Sequence, residues 1–128
     1  MDPISNMIIA LKNAGDAGRE TALVPYSKLK ENILNLLKAE GFIKNVEIKT
    51  SKNKRSLLVT LFVNKRTPKI QGVKRISKTS KRVYKKSAEL RPVKNNYGLL
   101  VLTTPRGIMS GREARKEKVG GEALFTIW

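Results

Sequence analysis

At 128 residues the chain has the usual length of one domain and enough residues to bury a core. It holds 27 lysines and arginines against 10 aspartates and glutamates, a net charge of +17, and neither cysteine nor histidine. The composition therefore excludes disulfides, metal sites built on histidine or cysteine, and catalysis by a histidine base or a cysteine nucleophile. Because no apolar run approaches the ~20 residues of a membrane span and no secretory signal is recognisable, we expect a cytoplasmic protein with no membrane partner.

The positive charge is concentrated in the second half. Residues 1–64 carry 10 basic and 6 acidic side chains, whereas residues 65–128 carry 17 basic and 4 acidic ones. The segment 65–94 contains 12 basic residues and one acid, Glu89. Such a segment repels itself unless a polyanion neutralises it. A nucleic-acid partner is therefore favoured over a charged surface that only solvates the protein and over a basic membrane-surface patch.

The first half predicts the order helix, strand, helix, strand, strand. Pro3 begins a helix whose apolar residues recur at i, i+3, i+4 and i+7, and Gly15 and Gly18 end it. Short apolar or alternating segments predict strands over residues 21–24, 42–49 and 57–63. The last strand is apolar on both faces, which indicates a central position with helices on one side, and a polar hairpin loop precedes it. These elements form a small α+β unit.

The second helix carries a candidate contact with an anion. Ser27 caps this helix, Gly41 ends it, and its predicted buried face begins at Leu29. Lys30 lies in the first turn, where the helix dipole disfavours a cation. A lysine at this position is a weak indication of an external phosphate, the alternative being ordinary solvation.

A boundary is predicted at Thr67-Pro68, where charge density rises and helical periodicity ends. It separates an N-terminal α+β subdomain, residues 1–66, from a C-terminal β-rich subdomain, residues 67–128. Residues 70–76, which include Lys74 and Arg75, are too basic for a buried strand. A loop is predicted to follow over 77–82, then a brief strand in which Tyr84 stands beside Lys85 and Lys86.

The last thirty-one residues predict strand, loop, short helix and strand. Leu99–Leu102 is an apolar run, and the breakers Pro105, Arg106 and Gly107 follow. Ser110 and Glu113 have the spacing of a capping box, Gly120-Gly121 is expected to end the helix, and residues 123–128 form the closing strand. The loop after the first strand offers two threonine hydroxyls, a guanidinium and a flexible glycine. These groups suit phosphates and ribose 2′-hydroxyls.

The available chemistry favours a binding protein over an enzyme. A serine–lysine dyad is imaginable in a chain this rich in both, but no glycine-rich phosphate-binding motif is present. No helix carries the dense basic face that would enter a DNA major groove, so structured RNA is favoured over DNA. Tyr84 is a candidate platform for stacking a base or ribose, or else a half-buried strand residue. Two alternatives are a phosphate-cradling enzyme or adaptor that uses residues 103–110, and a DNA-compacting protein.

Several motifs follow one another along the whole chain. The C-terminal motif runs Gly98-Leu99-Leu100-Val101-Leu102-Thr103-Thr104-Pro105-Arg106-Gly107-Ile108-Met109, then Ala114-Arg115, Gly120-Gly121-Glu122 and Trp128. Earlier motifs are Asp2-Pro3-Ile4, Ser27-Lys28-Leu29-Lys30, Glu40-Gly41-Phe42-Ile43 and Arg82-Val83-Tyr84-Lys85. In this order the chain resembles the family of small ribosomal subunit protein eight, bacterial type.

The resemblance implies an α+β fold in which an N-terminal α-β-α-β-β unit packs against a mostly β C-terminal unit with one short helix. It also implies a structural, non-enzymatic ribosomal protein that binds the central domain of small-subunit rRNA and supports assembly of the subunit. Neighbouring small-subunit proteins are the other implied partners, and in some bacteria members of the family also bind the messenger of their own operon. No cofactor, metal or small-molecule substrate is expected.

The resemblance places Thr103, Thr104, Arg106, Gly107, Tyr84 and Glu122 on the family's RNA-contact positions. Together with the basic residues, the candidate RNA-binding set is Thr103, Thr104, Arg106, Gly107, Tyr84, Glu122, Lys85, Lys86, Lys30, Lys74 and Arg75. For Glu122, sequence leaves two roles open: accepting hydrogen bonds from base amino groups or 2′-hydroxyls, or orienting Arg106 or Arg115.

Two positions depart from the family pattern. Pro105 replaces a third hydroxyl residue, so one hydroxyl and one backbone amide are missing from that contact. Lys78-Thr79-Ser80 replaces an Arg-Pro-Gly loop.

Overall fold

The computed structural model describes residues 3–62, 69–78, 80–90 and 98–128. The chain divides into two compact units between Gln71 and Gly72. The boundary predicted at Thr67-Pro68 lies outside the described residues, as do the residues around Asn95-Asn96. No helix in the described ranges has the length and apolar character needed to cross a membrane.

The first unit contains two helices and a three-stranded antiparallel sheet. Its elements are α1 (Pro3–Asp16), β1 (Thr21–Pro25), α2 (Lys28–Ala39), β2 (Asn45–Ser51) and β3 (Lys54–Thr60). The strand order is β1-β3-β2, so β3 is central, as its two apolar faces predict. Leu57 and Val59 on one face of β3 are fully buried, whereas Leu23, in register with Leu58 on the other face, is 63% exposed. The helices therefore cover one side of the sheet.

The predicted buried face of α2 is wrong at its first residue. Leu29 is 42% exposed, and the buried positions are Lys30, Ile33, Leu34 and Leu37, which follow the helical spacing i, i+3, i+4, i+7. Ser27 caps the helix as predicted, because its hydroxyl accepts a hydrogen bond from the amide of Lys30 at 3.1 Å.

The second unit is a five-stranded antiparallel sheet with one short α-helix. Its elements are β4 (Val73–Arg75), β5 (Tyr84–Lys85), a 3₁₀ turn (Ser87–Glu89), β6 (Leu99–Thr104), β7 (Gly107–Ser110), α3 (Gly111–Lys116) and β8 (Gly121–Ile127). Strand β8 pairs with β6 on one edge and with β4 and β5 on the other, while β7 pairs with β6. The fold is thus α+β with a mostly β C-terminal part, as predicted.

Two predictions in this unit need correction. Residues 107–110 form a strand rather than an open loop, so β6 and β7 make a hairpin. The helix α3 ends at Lys116, before the two glycines, and Lys118 adopts the left-handed conformation with φ of 59° after it. The amide of Val119 then bonds the carbonyl of Ala114 at 3.0 Å and satisfies the helix end. Gly120-Gly121 therefore has another role.

Candidate nucleic-acid interface

An open groove of about 680 Å³ lies on the second unit, where β5, β6 and the start of β8 meet. Its lining includes six of the candidate residues identified from sequence: Tyr84, Lys85, Lys86, Thr103, Thr104 and Glu122. The remaining lining residues are Pro105, Gly120 and Gly121, which belong to the C-terminal motif described above, and Ser87 and Glu89, which sequence reasoning missed. Ser87 and Glu89 belong to the 3₁₀ turn that follows β5, whereas Gly120 precedes β8 and Gly121 begins it.

Strand register explains why these residues meet. Glu122 on β8 is paired with Tyr84 on β5 and with Thr103 on β6. Residues directly opposite each other in an antiparallel sheet project from the same face. Tyr84, Glu122 and Thr103 consequently form one row across three strands, although the chain separates them widely. The Tyr84 side chain is 70% exposed at the edge of this row.

Gly120 and Gly121 form a floor that has no room for side chains. An ideal Cβ on Gly120 would lie 2.5 Å from the carbonyl oxygen of Lys85, and one on Gly121 would overlap the carbonyl oxygen of Thr103. Neither glycine has a positive φ, so close approach of the backbones, not unusual conformation, requires glycine here. The two glycines therefore allow the backbones of β5, β6 and the start of β8 to pack closely where they border the groove.

The two threonines serve different purposes. The Thr104 hydroxyl donates to the carbonyl of Gly107 at 2.9 Å and accepts from the amide of Arg106 at 3.1 Å. Thr104 is only 9% exposed, so its hydroxyl builds the hairpin turn. Thr103 is half-buried, and within the described parts of the chain its hydroxyl makes no hydrogen bond. Thr103 therefore offers the hydroxyl that a ligand can use.

Pro105 occupies the first central position of the β6–β7 turn. Proline suits this position because its fixed φ matches the turn, and Gly107 follows with a φ of 115°. Pro105 is exposed and borders the groove. Pro105, which departs from the family pattern, thus stabilises the turn through its ring and presents no backbone N–H donor to the groove.

Glu122 is paired with Arg82, which corrects the expectation that it orients Arg106 or Arg115. Its carboxylate lies 3.1 Å from the Arg82 guanidinium, and the Glu122 side chain is only 12% exposed. Arg106 instead pairs with Glu117, at 3.2 Å on the surface. The carboxylate is therefore held in place and partly neutralised at the groove.

Five candidate residues lie outside the groove. Arg106 and Gly107 lie in the exposed turn beside it. Lys74 and Arg75 belong to β4, which pairs with the C-terminal half of β8. Lys74 is paired with Thr126, and Thr126 lies four residues, or roughly 13 Å, along β8 from Glu122. The Arg75 guanidinium donates to the carbonyl of Leu124, so it supports the sheet.

Lys30 belongs to the first unit and is 9% exposed. Its ammonium lies 3.5 Å from the carbonyl oxygen of Pro25. The aliphatic stem of Lys30 is thus buried in the first unit, and its ammonium has a backbone partner. These contacts account for the position of Lys30 without an external phosphate.

The described residues hold no cluster of acidic side chains suited to a metal ion. The hairpin of residues 103–110 also lacks an open cradle for a small phosphate. The hydroxyl of Thr104 is used in the turn, and the Ser110 hydroxyl caps α3 by accepting from the amide of Glu113 at 3.1 Å. Ser110 itself is 3% exposed. The phosphate-cradling alternative therefore loses the hydroxyls of Thr104 and Ser110, both of which are buried and bonded within the protein.

Comparison with known proteins identifies the family. The sequence matches the family model described as Ribosomal protein S8 over residues 2–128. The chain belongs to the ribosomal protein S8 family. It is 42% identical to the small ribosomal subunit protein uS8 of Mycoplasmopsis synoviae (strain 53), 41% to that of Roseiflexus castenholzii (strain DSM 13941 / HLO8) and 40% to that of Leptospira biflexa serovar Patoc (strain Patoc 1 / Ames). Each comparison covers 99% of this chain and 97% of the relative.

Membership of this family confirms the resemblance seen in the sequence. Members of the ribosomal protein S8 family are structural, non-enzymatic proteins of the small ribosomal subunit, and they act in translation in the bacterial cytoplasm. The partners of the family are ribosomal RNA and ribosomal proteins. The groove on the second unit is a candidate surface for such a partner.

Proposed function

We propose that the groove binds structured RNA in the central domain of small-subunit rRNA, and that this contact supports assembly of the small subunit. The row of Tyr84, Glu122 and Thr103 above the glycine floor carries the proposal. It offers an aromatic face, a carboxylate and a hydroxyl within one shallow opening. Such a set recognises RNA through stacked bases, base edges and 2′-hydroxyls.

Each group of the row has a separate task. The exposed Tyr84 ring stacks on a base or ribose, and the Thr103 hydroxyl bonds a 2′-hydroxyl or base edge. Glu122 accepts hydrogen bonds from a base amino group or a 2′-hydroxyl, while its pair with Arg82 offsets repulsion from nearby phosphates. Lys85 and Lys86 border the groove and neutralise phosphates without reading sequence.

The shape of the groove favours RNA over DNA. Double-stranded RNA presents a wide, shallow minor groove with 2′-hydroxyls, which an open surface with hydroxyl and backbone groups can contact. A protein that compacts DNA would need neither the Thr103 hydroxyl nor the carboxylate of Glu122. The exposed Arg106 beside the groove adds a further phosphate contact.

The test compares specific with non-specific binding. Affinity is measured for a central-domain fragment of bacterial small-subunit rRNA and for a mixed RNA duplex of equal length, at physiological salt. We expect the fragment to bind at least ~10³-fold more tightly, the lower end for specific nucleic-acid recognition. Thr103→Val should reduce that preference about tenfold, whereas Thr126→Val, on the same sheet but at the far end of β8, should leave it unchanged. Equal affinity of the wild-type protein for both RNAs would refute the proposal.

We further propose that the same groove binds the messenger of the chain's own operon. The support is that the open groove carries groups suited to stacked bases, base edges and 2′-hydroxyls, which a structured messenger also presents. The operon leader and the central-domain fragment should then compete for the protein, and Thr103→Val should weaken both. Simultaneous binding of the two RNAs would show that the messenger has no share in this site.

A further inference from the structure

The tip of the β2–β3 hairpin carries all of the net charge of the first half of the chain. Residues 1–64 have 10 basic and 6 acidic side chains, a net charge of +4. Residues 49–55 contain four of the basic ones, Lys49, Lys52, Lys54 and Arg55, and no acid. The other residues of 1–64 hold six of each sign and balance. We call residues 49–55 the basic hairpin tip.

The basic hairpin tip is tightly built. Ser51 pairs with Lys54, so only Lys52 and Asn53 form the loop, with φ angles of 48° and 65°. These angles match a type I′ turn, which follows the twist of the strands. Asparagine and glycine adopt this conformation readily, whereas lysine rarely does. The turn thus presents an exposed cation at a position where backbone geometry favours asparagine or glycine.

The cations at the tip are exposed and largely without acidic partners. Lys49 lies 3.3 Å from Glu47, but within the described ranges no carboxylate lies within ion-pair distance of Lys52, Lys54 or Arg55. The Arg55 guanidinium instead stacks on Tyr26, 4.3 Å from the ring centre. Tyr26 is itself held by a 3.3 Å hydrogen bond to Glu31. Arg55 is therefore pre-positioned while its donors remain available to a ligand.

Cations project from both faces of the tip. Cross-strand pairs place Lys49 and Lys54 on the outer face and Arg55 on the face that the helices cover further along the sheet. Lys52 lies at the end of the turn. A flat anionic surface, such as a membrane or an acidic protein patch, would meet one face only. Charges on two faces and the end fit an anion that surrounds the ribbon.

We propose that the basic hairpin tip is a second RNA-binding surface, which inserts between phosphates of small-subunit rRNA at a junction, bulge or widened groove. This inference rests on the proposed function, since that function supplies RNA as the polyanion. The contact reads phosphate position rather than base sequence, because lysines at the tip act as point charges. It adds an anchor on the first unit to the groove on the second.

The main test removes three cations from the tip and compares a variant of equal charge. The triple variant Lys52→Gln, Lys54→Gln, Arg55→Gln is set against Arg19→Gln, Lys38→Gln, Lys44→Gln, which alters three exposed residues of the same unit. Binding to a full-length transcript of bacterial small-subunit rRNA is measured from 50 to 300 mM salt. Over this range the electrostatic screening length falls roughly twofold or more. We expect the salt slope to fall by about one for each lost phosphate contact in the tip variant only.

Two outcomes overturn the inference. A tip variant that kept the salt slope and the affinity of the wild-type protein would show that the tip has no part in RNA binding, and an acidic protein would then be the candidate partner. Equal losses in both would show that total charge, not the tip, decides binding. If instead the wild-type protein shows no preference for small-subunit rRNA over the mixed duplex, the proposed function itself has failed.

A single substitution separates the turn from the charge. Lys52→Asn removes the cation and places a residue that accepts positive φ, so we expect a higher melting temperature together with an RNA affinity reduced ~3–10-fold. A higher melting temperature with unchanged affinity would contradict the proposal.

Because the natural sequence has no cysteine, Ser51→Cys also allows a unique tethered iron–EDTA probe. It should cleave one compact region of rRNA, and absence of cleavage from this site would overturn the contact; Asn35→Cys is the control position.

Discussion

Tyr84 exposes 70% of its side chain, an unusual position for a large ring unless a partner covers it. If RNA stacks on this ring, Tyr84→Leu should weaken binding of the central-domain fragment by ~1–3 kcal/mol, whereas Tyr84→Phe should retain most of the affinity because it keeps the aromatic face. The melting temperature of both variants should match the wild type, because so little of the ring is buried. Equal RNA affinities for the leucine and phenylalanine variants would exclude stacking, and fragment titrations by calorimetry would show this.

Glu122 and Arg82 make a second prediction at the level of single residues. Glu122→Gln keeps an acceptor in the groove but frees the Arg82 guanidinium from its 3.1 Å partner. We expect tighter binding to the mixed duplex and weaker binding to the central-domain fragment, so that the ratio of the two affinities falls about tenfold. Arg82→Gln is the companion variant and should weaken both affinities together. Competition binding at fixed salt measures the ratio, and a ratio unaffected by Glu122→Gln would leave the carboxylate a purely structural role.

At the level of elements, the β6–β7 turn depends on one hydroxyl. Thr104→Val removes the bonds to Gly107 and Arg106 at a site only 9% exposed, which should cost ~1–3 kcal/mol of unfolding free energy. Thr104→Ser keeps both bonds and should cost less than half as much. Urea unfolding of the three proteins gives the comparison. Equal destabilisation by serine and valine would mean that the methyl group, not the hydroxyl, supports the turn.

The glycine floor, Gly120 and Gly121, is a second feature at the level of elements. Gly121→Ala forces a Cβ into the Thr103 carbonyl, which should destabilise the second unit by ~1–3 kcal/mol and push β6 away from β8. Chemical-shift changes in a two-dimensional NMR spectrum should be centred on Thr103 and Tyr84. Changes confined to residue 121 and its sequence neighbours would show that the strands have more room than the backbone distances indicate.

Periodicity and breakers predicted both helices of the first unit, the central position of β3 and the capping of α3. They failed where a local pattern has two structural meanings. Gly120-Gly121 is typical of a helix end, yet Lys118 supplies the left-handed residue and the glycines serve strand contact. Thr103 and Tyr84 meet only because both pair with Glu122, and no local pattern encodes that register. The burial of Lys30 was not predicted, because a lysine stem can be buried as an apolar surface while its ammonium contacts a carbonyl.

At the level of the whole molecule, a net charge of +17 should destabilise the folded chain through self-repulsion unless a polyanion neutralises it. Residues 65–128 hold 17 basic and 4 acidic side chains, so repulsion should be strongest there at low ionic strength. Raising sodium chloride from 10 to 150 mM shortens the screening length from ~30 to ~8 Å. If this relieves about 1 kcal/mol of repulsion, the melting temperature should rise by ~4–8 °C for a unit of this size.

A variant with fewer cations separates repulsion from other salt effects. Lys74→Gln with Lys78→Gln and Lys81→Gln removes three exposed charges from the most basic segment. Its melting temperature should start higher at 10 mM salt and rise less, because there is less repulsion to screen. The variant Arg19→Gln, Lys38→Gln, Lys44→Gln lowers the total charge equally but outside this segment, so it should keep the steep salt dependence of the second unit. Differential scanning calorimetry in sodium chloride compares the melting temperatures of the three proteins. If all three melting temperatures responded to salt identically, the folded chain would disperse its charge well enough to need no partner for stability.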